Sequence, residues 1–172
     1  MKTHYNHSGY DRIEHDDYQT EDRRCAKALI ESWPIRGRVV DCCAPFGSKL
    51  VDHLIHYKKD AHCIGNAFED FSANWIVTNP PYKKDIVDNI VSACLDKLED
   101  GRVNGVAILV RATWDFASCR TAHFERNFAC QVHMRFRPWW GEERIAQPQH
   151  NFVWNIWEKT GEKPTIKWWN PR

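Results

Sequence analysis

No apolar run in this 172-residue chain approaches the roughly 20 residues that a membrane helix needs. The polar N-terminus carries no signal-peptide pattern. An even cysteine count is also missing: there are seven, two of them adjacent at Cys42 and Cys43, which excludes a fully paired disulfide framework. Together these absences point to a reducing, cytoplasmic setting. Charge of one sign is not in excess either. Lys plus Arg number 24 against 23 Asp plus Glu, a net +1, so any basic footprint for a nucleic acid has to be local. Internal repeats and low-complexity segments are absent, and the length leaves little room for two cores. What is present is a globular composition, 42% hydrophobic and 27% charged, with an unusual nine tryptophans that lie mostly between Trp114 and Trp169.

Residues 1–17 are polar without a period and read as an arm; 18–172 read as one domain. A helix is expected after Thr20, with Cys25, Leu29 and Trp33 on one face and Pro34 as its stop. Arg38 to Asp41 reads as a buried strand, followed by a loop with Pro45 and Gly47 and a helix carrying Leu50, Val51, Leu54 and Ile55. A weak strand over Ala61–Gly65 precedes a clear one, Trp75-Ile76-Val77-Thr78. From Asp85 to Leu98 the period is helical, with Ile86, Ile90, Cys94 and Leu98 four apart. Val106 to Val110 is a continuous apolar strand of the kind buried on both faces. A helix is expected over Cys119–Phe128, strands over Gln131–Arg137, Asn151–Trp157 and Thr165–Trp169, and a loop over Trp139–His150. This order predicts an α/β, Rossmann-like open sheet, mostly parallel with an antiparallel C-terminal hairpin, whose ligands bind at the carboxyl ends of its strands.

The sharpest local signal is Asn79-Pro80-Pro81-Tyr82. At average usage such a tetrapeptide occurs by chance in roughly one chain in a thousand of this size. It is either an ordinary turn closing a strand or a device for an exocyclic amino group. The amino group of adenine is a poor nucleophile because its lone pair is delocalised into the ring. Two acceptors, the Asn79 side-chain carbonyl and the Pro80 main-chain carbonyl, would hold its hydrogens and favour a more tetrahedral nitrogen. Consecutive prolines stiffen the turn, and Tyr82 would stack on an extruded base.

On these residues the sequence resembles the class I methyltransferases dependent on S-adenosylmethionine, of the amino-methylating type with an Asn-Pro-Pro-Tyr motif. More narrowly it resembles the small phage-type DNA N6-adenine methyltransferases. The resemblance runs from Tyr18 to Trp169: Tyr18-Gln19-Thr20 before the first helix, Val39 to Gly47 as first strand and turn, Trp75 to Tyr82 as catalytic strand and motif, Gly105 to Trp114 as the next strand and its exit, and Phe152 to Trp157 as the hairpin strand. It implies S-adenosylmethionine as cofactor, held by Tyr18, Thr20, Asp41, Cys42, Ala44, Gly47, Asn66 and Asp70. Asp41 would hold the methionyl ammonium, or is a plain polar strand end; Thr20 is a cofactor contact, a helix cap, or both. Two positions depart from the pattern. Pro45 replaces the first loop glycine, removing an N–H and any positive φ, and Asn66 stands where an acid normally grips the ribose. Weak cofactor binding for the class is therefore expected.

Arg135-Phe136-Arg137-Pro138-Trp139-Trp140 interleaves cations with aromatics. Arg135, Arg137, Trp139 and Trp140 either bind nucleic acid through phosphates and base stacking or form an edge strand with a partly buried Trp pair. Arg111 and Trp114 follow a buried strand on the same face; Arg111 holds a phosphate or pairs with a carboxylate such as Asp115. His53, His56, His62 and Cys63 with Cys42 and Cys43 match no zinc spacing, so no metal is expected. The leading function is methyl transfer to adenine N6 in DNA. The alternatives are an RNA or protein-glutamine acceptor, or an idle methyltransferase-like domain that binds nucleic acid. Oligomeric state and recognition sequence are not readable.

Overall fold

The computed structural model describes residues 19–44, 47–140 and 150–171. Tyr18, Pro45 and the expected arm therefore lie outside the described residues, as does most of the expected loop over Trp139–His150. Seven strands form one sheet: β1 (Arg38–Asp41), β2 (Asp60–Cys63), β3 (Trp75–Thr78), β4 (Gly105–Arg111), β5 (Phe128–Met134), β6 (Phe152–Glu158) and β7 (Thr165–Trp169), in the order β2-β1-β3-β4-β6-β5-β7. β2, β1, β3 and β4 are parallel; β6 is antiparallel to β4 and β5, while β7 runs parallel to β5.

Side-chain alternation sorts the core into two layers. Val39, Trp75, Val77, Ala107, Leu109 and Trp154 face α1 (Arg24–Ser32) and α2 (Lys49–His56). Val40, Ile76, Val106, Ile108, Val110 and Trp157 face α3 (Lys84–Glu99). Continuous burial of Trp75 to Thr78 and of Gly105 to Val110 explains why those runs carry no polar alternation. Gly105 is required by its neighbour: a Cβ there would lie 2.4 Å from the Trp75 ring. The tryptophans stitch helices to sheet. Their indole N–H groups donate from Trp154 to the Cys25 carbonyl (2.9 Å), from Trp169 to Glu31 (2.7 Å), from Trp33 to Glu158 (2.8 Å) and from Trp157 to the His123 carbonyl (2.8 Å), so deep burial leaves no indole donor of these four unsatisfied.

Several expected boundaries move. The first helix starts at Arg24, not after Thr20, because the Asp22 carboxylate accepts the Arg24 N–H (3.1 Å) and clamps its guanidinium (2.6 Å). The helix expected over Cys119–Phe128 shrinks to a 3-10 turn, Ser118–Arg120, and α4 (Thr121–Phe124); Asn127 then takes φ 55° and the chain enters β5 at Phe128. β5 consequently ends at Met134, placing Arg135 and Arg137 beyond the strand. Among the described residues no helix is long and apolar enough to cross a membrane.

Candidate active site

β1 and β3 end side by side, and their last polar residues meet. The Asp41 carboxylate, 3% exposed, accepts hydrogen bonds from the Ser48 hydroxyl (2.6 Å), the Thr78 hydroxyl (2.6 Å) and the Cys43 N–H (3.1 Å). Ser48 also caps α2, its oxygen accepting the Val51 N–H (3.2 Å). One hydroxyl thereby ties the loop after β1, the start of α2 and the buried carboxylate together. Gln19 accepts the Lys49 N–H (3.2 Å), which brings the segment before α1 onto the same corner. Gln19, Thr20, Asp41, Cys43, Ala44, Ser48 and Asn79 line a cavity of about 10 Å³, room for about one water. Thr20 is buried in the wall of this cavity, and the expected cap to α1 is not formed.

Asn79 and Pro80 follow β3 directly and are buried; Pro81 and Tyr82 are half-buried. The Tyr82 hydroxyl donates to the Asn79 side-chain oxygen. Its ring packs against Phe152 (5.4 Å between centroids) and Trp140 (6.2 Å), while the Arg111 guanidinium lies 5.5 Å from its centre. The motif thus brings a carboxamide oxygen to the cavity that Asp41 also lines, with an aromatic wall beside it.

Other expected site residues lie elsewhere. Asp70 is exposed and pairs with Arg102 in the turn before β4, at the amino ends of the strands, because the chain descends the sheet between β2 and β3. It is therefore on the rim opposite Asp41 and Asn79. Asn66 is exposed and its side-chain oxygen accepts the N–H of Phe68 (2.9 Å), a local turn. The Cys42 side chain points to the α3 layer, with its sulfur 3.8 Å from that of Cys94. Gly47 is exposed at φ 118°, a conformation that favours glycine, with nothing within 4 Å of a Cβ built there; it shapes the turn and approaches no other group in the described chain. Trp114 is 7% exposed: its N–H donates to Asp88 (3.0 Å), the Arg120 guanidinium covers it at 4.6 Å, and His123 stacks on it at 6.0 Å. It faces the interior. Asp115 does not receive Arg111; it takes the Asn155 side-chain N–H (2.7 Å) and that of Gln131, and burial pushes its carboxyl above the usual range. Of the cation–aromatic segment, Arg135 and Arg137 are exposed. Trp139 is half-buried, and Trp140 packs on Phe152 (4.7 Å), forming part of the Tyr82 wall.

Sequence reasoning missed Ser48 and Thr78, whose hydroxyls hold Asp41; a serine opening a helix and a threonine closing a strand are too ordinary to stand out. It also missed Trp168, which is 64% exposed and stacks on His133.

No family model matches the chain, and no curated protein matches it by sequence. Solved structures match its fold. A candidate RNA methyltransferase from Pyrococcus horikoshii superposes with a TM-score of 0.58 over 90% of this chain and 94% of its own, at 12% identity. A candidate class I S-adenosylmethionine-dependent methyltransferase from Listeria monocytogenes gives 0.53 over 88% of this chain and 65% of its own, at 13% identity. The chain has the Rossmann-like fold of class I methyltransferases.

Proposed function

We propose that the protein transfers a methyl group from S-adenosylmethionine to the N6 amino group of adenine in DNA. The observation that carries this reading is the Asn79 carboxamide at the carboxyl end of β3, sharing one cavity with the Asp41 carboxylate on β1. The donor set suits in its chemistry the methionyl end of the cofactor, which would have to widen a space that now has room for about one water. A buried carboxylate would face its ammonium, Thr20 and Gln19 offer hydroxyl and amide groups, and Ala44 is small. The ribose end has weaker support, since Asn66 is committed to its own turn and Asp70 pairs with Arg102 on the other rim.

When bound, S-adenosylmethionine would supply a methyl carbon for in-line attack by the amine nitrogen, the carbon–sulfur bond breaking to release S-adenosylhomocysteine and the nitrogen losing one proton to water, with no covalent enzyme intermediate. The work of the chain is to position the amine. The Asn79 oxygen and the Pro80 carbonyl accept the two amino hydrogens, which localises the lone pair on nitrogen. The Asn79 oxygen has two lone pairs, so it can accept an amino hydrogen beside the Tyr82 hydroxyl that already donates to it and fixes its direction. The aromatic wall of Tyr82, Phe152 and Trp140 stacks the base and excludes water. Arg111, whose Nε is buried without a hydrogen-bond partner among the described residues, supplies a cation beside that wall.

A second reading is favoured by the ribose end: without a carboxylate there, the domain binds nucleic acid and methylates nothing. Incubation with methyl-labelled cofactor and DNA, RNA or protein acceptors separates the cases. Label in DNA adenine is the expected result. Label in RNA or in protein glutamine moves the acceptor, and no label with any of the three supports the idle domain.

A further inference from the structure

Trp168 is the one exposed indole among the described residues, at 64% of its surface. Strand alternation explains why: Trp169 turns inward to Glu31 on α1, and its neighbour turns to the opposite face of β7. There its ring stacks on His133, 4.3 Å between centroids and 29° between planes. The imidazole is itself held. Its Nε2 bonds the Gln131 side-chain oxygen, and the Gln131 amide donates to the fully buried Asn155 (2.9 Å), so His133 is anchored to the sheet interior. A single exposed ring is ordinary on a surface; this one stands on a fixed imidazole support and lines a groove.

Beside this pair lies a groove of about 490 Å³, lined among others by His133, Arg135, Arg137, Asn151, Phe152 and Trp168. Two arginines and no carboxylate line it among the described residues. Phe152 belongs also to the Tyr82 wall, so groove and motif share a residue. Sheet register sets their relative level along the strands, with the Trp168 row on the α3 face and Tyr82 packed with the other layer. Trp168 pairs with His133, His133 with Val153 and Val153 with Val110, while Ile108 pairs with Thr78. Trp168 thus sits in the row that passes just beyond Thr78, roughly 19 Å or four strand spacings from β3.

We propose that Trp168 and His133 form a second stacking subsite that takes an unpaired nucleobase of a single-stranded polynucleotide, with Arg135 and Arg137 on its phosphates. The subsite rests on the methyltransferase reading for its purpose: it holds a base that flanks the acceptor, several nucleotides along the same strand. Two arginines with no carboxylate among the described lining, beside a stacked indole, match the phosphates and bases of a polynucleotide. Duplex DNA cannot use it without unpairing, since a stacked base has to be splayed from its helix.

The test is binding of one oligonucleotide sequence as single-stranded DNA, single-stranded RNA and duplex, without cofactor, to the wild-type protein, Trp168→Ala, Trp168→Phe and Ile166→Ala. Single strands are expected to bind more tightly than duplex, and the DNA and RNA arms identify which strand is preferred. Trp168→Ala should weaken single-strand binding by about fivefold to a hundredfold, Trp168→Phe should restore most of it, and Ile166→Ala, exposed on the same strand but outside the groove, should leave it unchanged. Equal binding by wild type and Trp168→Ala, a Phe variant no better than the Ala variant, or equal affinity for duplex overturns the subsite. Methyl-labelling of the same strands is scored separately. Label without a Trp168 effect on binding preserves the methyltransferase and removes the subsite. A Trp168 effect without label does the reverse.

Discussion

The two ends of the sheet's carboxyl rim are built on opposite principles. At β1 and β3 the rim is buried and polar: Asp41 is satisfied by two hydroxyls and an N–H, and Asn79 by Tyr82. At β5 and β7 it is open, aromatic and cationic, with Trp168, Arg135 and Arg137 in contact with water. The first arrangement fixes a few polar atoms by mutual hydrogen bonds; the second leaves aromatic area and positive charge open to solvent. In low dielectric a hydrogen bond is worth more and costs more to break, whereas exposed cations act through counterion release and lose force as salt rises.

This contrast is broken most severely at Asn79. Asn79→Ala is expected to lower the methyl-transfer rate by about a hundredfold to a thousandfold, as loss of a preorganised polar group does, while calorimetric titration still detects cofactor binding. Full turnover would remove Asn79 from the chemistry. Asp41→Ala should act on both stability and cofactor affinity, since it strands the Ser48 and Thr78 hydroxyls; about 1–3 kcal/mol of stability should be lost in thermal or urea unfolding. An unchanged midpoint would mean that the buried corner is not held together by this carboxylate.

The open end is tested by salt. Removing Arg135 and Arg137 together should flatten the plot of log affinity against log salt by about 0.7 per arginine for a single strand. An unaltered slope would reassign both residues to plain surface. Tyr82→Phe sharpens the closed end with a smaller effect. It deletes the hydroxyl that donates to Asn79 and keeps the stacking ring, so acceptor affinity should change by less than about threefold, against about 1–3 kcal/mol lost in Tyr82→Ala. If the Phe variant is as damaged as the Ala variant, the hydroxyl is the working group.

The smallest effect is on pH. Burial lowers the imidazole pKa of His133 and of His123. A proton is then bound more tightly in the unfolded chain, so their contribution to stability is present above the ordinary histidine range and is lost as pH falls through it. The melting temperature should rise between pH 5.5 and 7.5, and His133→Gln should reduce that rise. Asp115 acts with the opposite sign, its raised carboxyl favouring the folded state in acid and losing that contribution as pH increases.

Much of the closed end was legible in the sequence, because it is written in consecutive residues. β3 and its motif fall where the apolar run and the two prolines put them, and α3 within a residue of its period. The parallel sheet with its antiparallel hairpin also follows from the order of elements. What was not legible depends on chain direction over distance. Asp70 is only a few residues from Asn66, yet a turn closed by the Glu69 N–H on the Asn66 carbonyl separates them and Asp70 is taken by Arg102, which precedes β4. Trp114 reads like any aromatic after a strand, and only the packing of Asp88, Arg120 and His123 around it turns it inward. The parallel pairing of β7 with β5, which creates the open end, is set by tertiary register that local alternation does not encode.

The double duty of Ser48 has a kinetic corollary. Its hydroxyl both accepts the Val51 amide and donates to Asp41, so swinging the loop after β1 away from the carboxylate also uncaps α2. Loop and first helical turn then open as a single unit, and the Val51 amide becomes a natural clock for that opening. Its hydrogen–deuterium exchange rate should report how often the corner admits a guest, slow when the corner is filled and faster when Ser48 is replaced by alanine, without any probe attached to the protein.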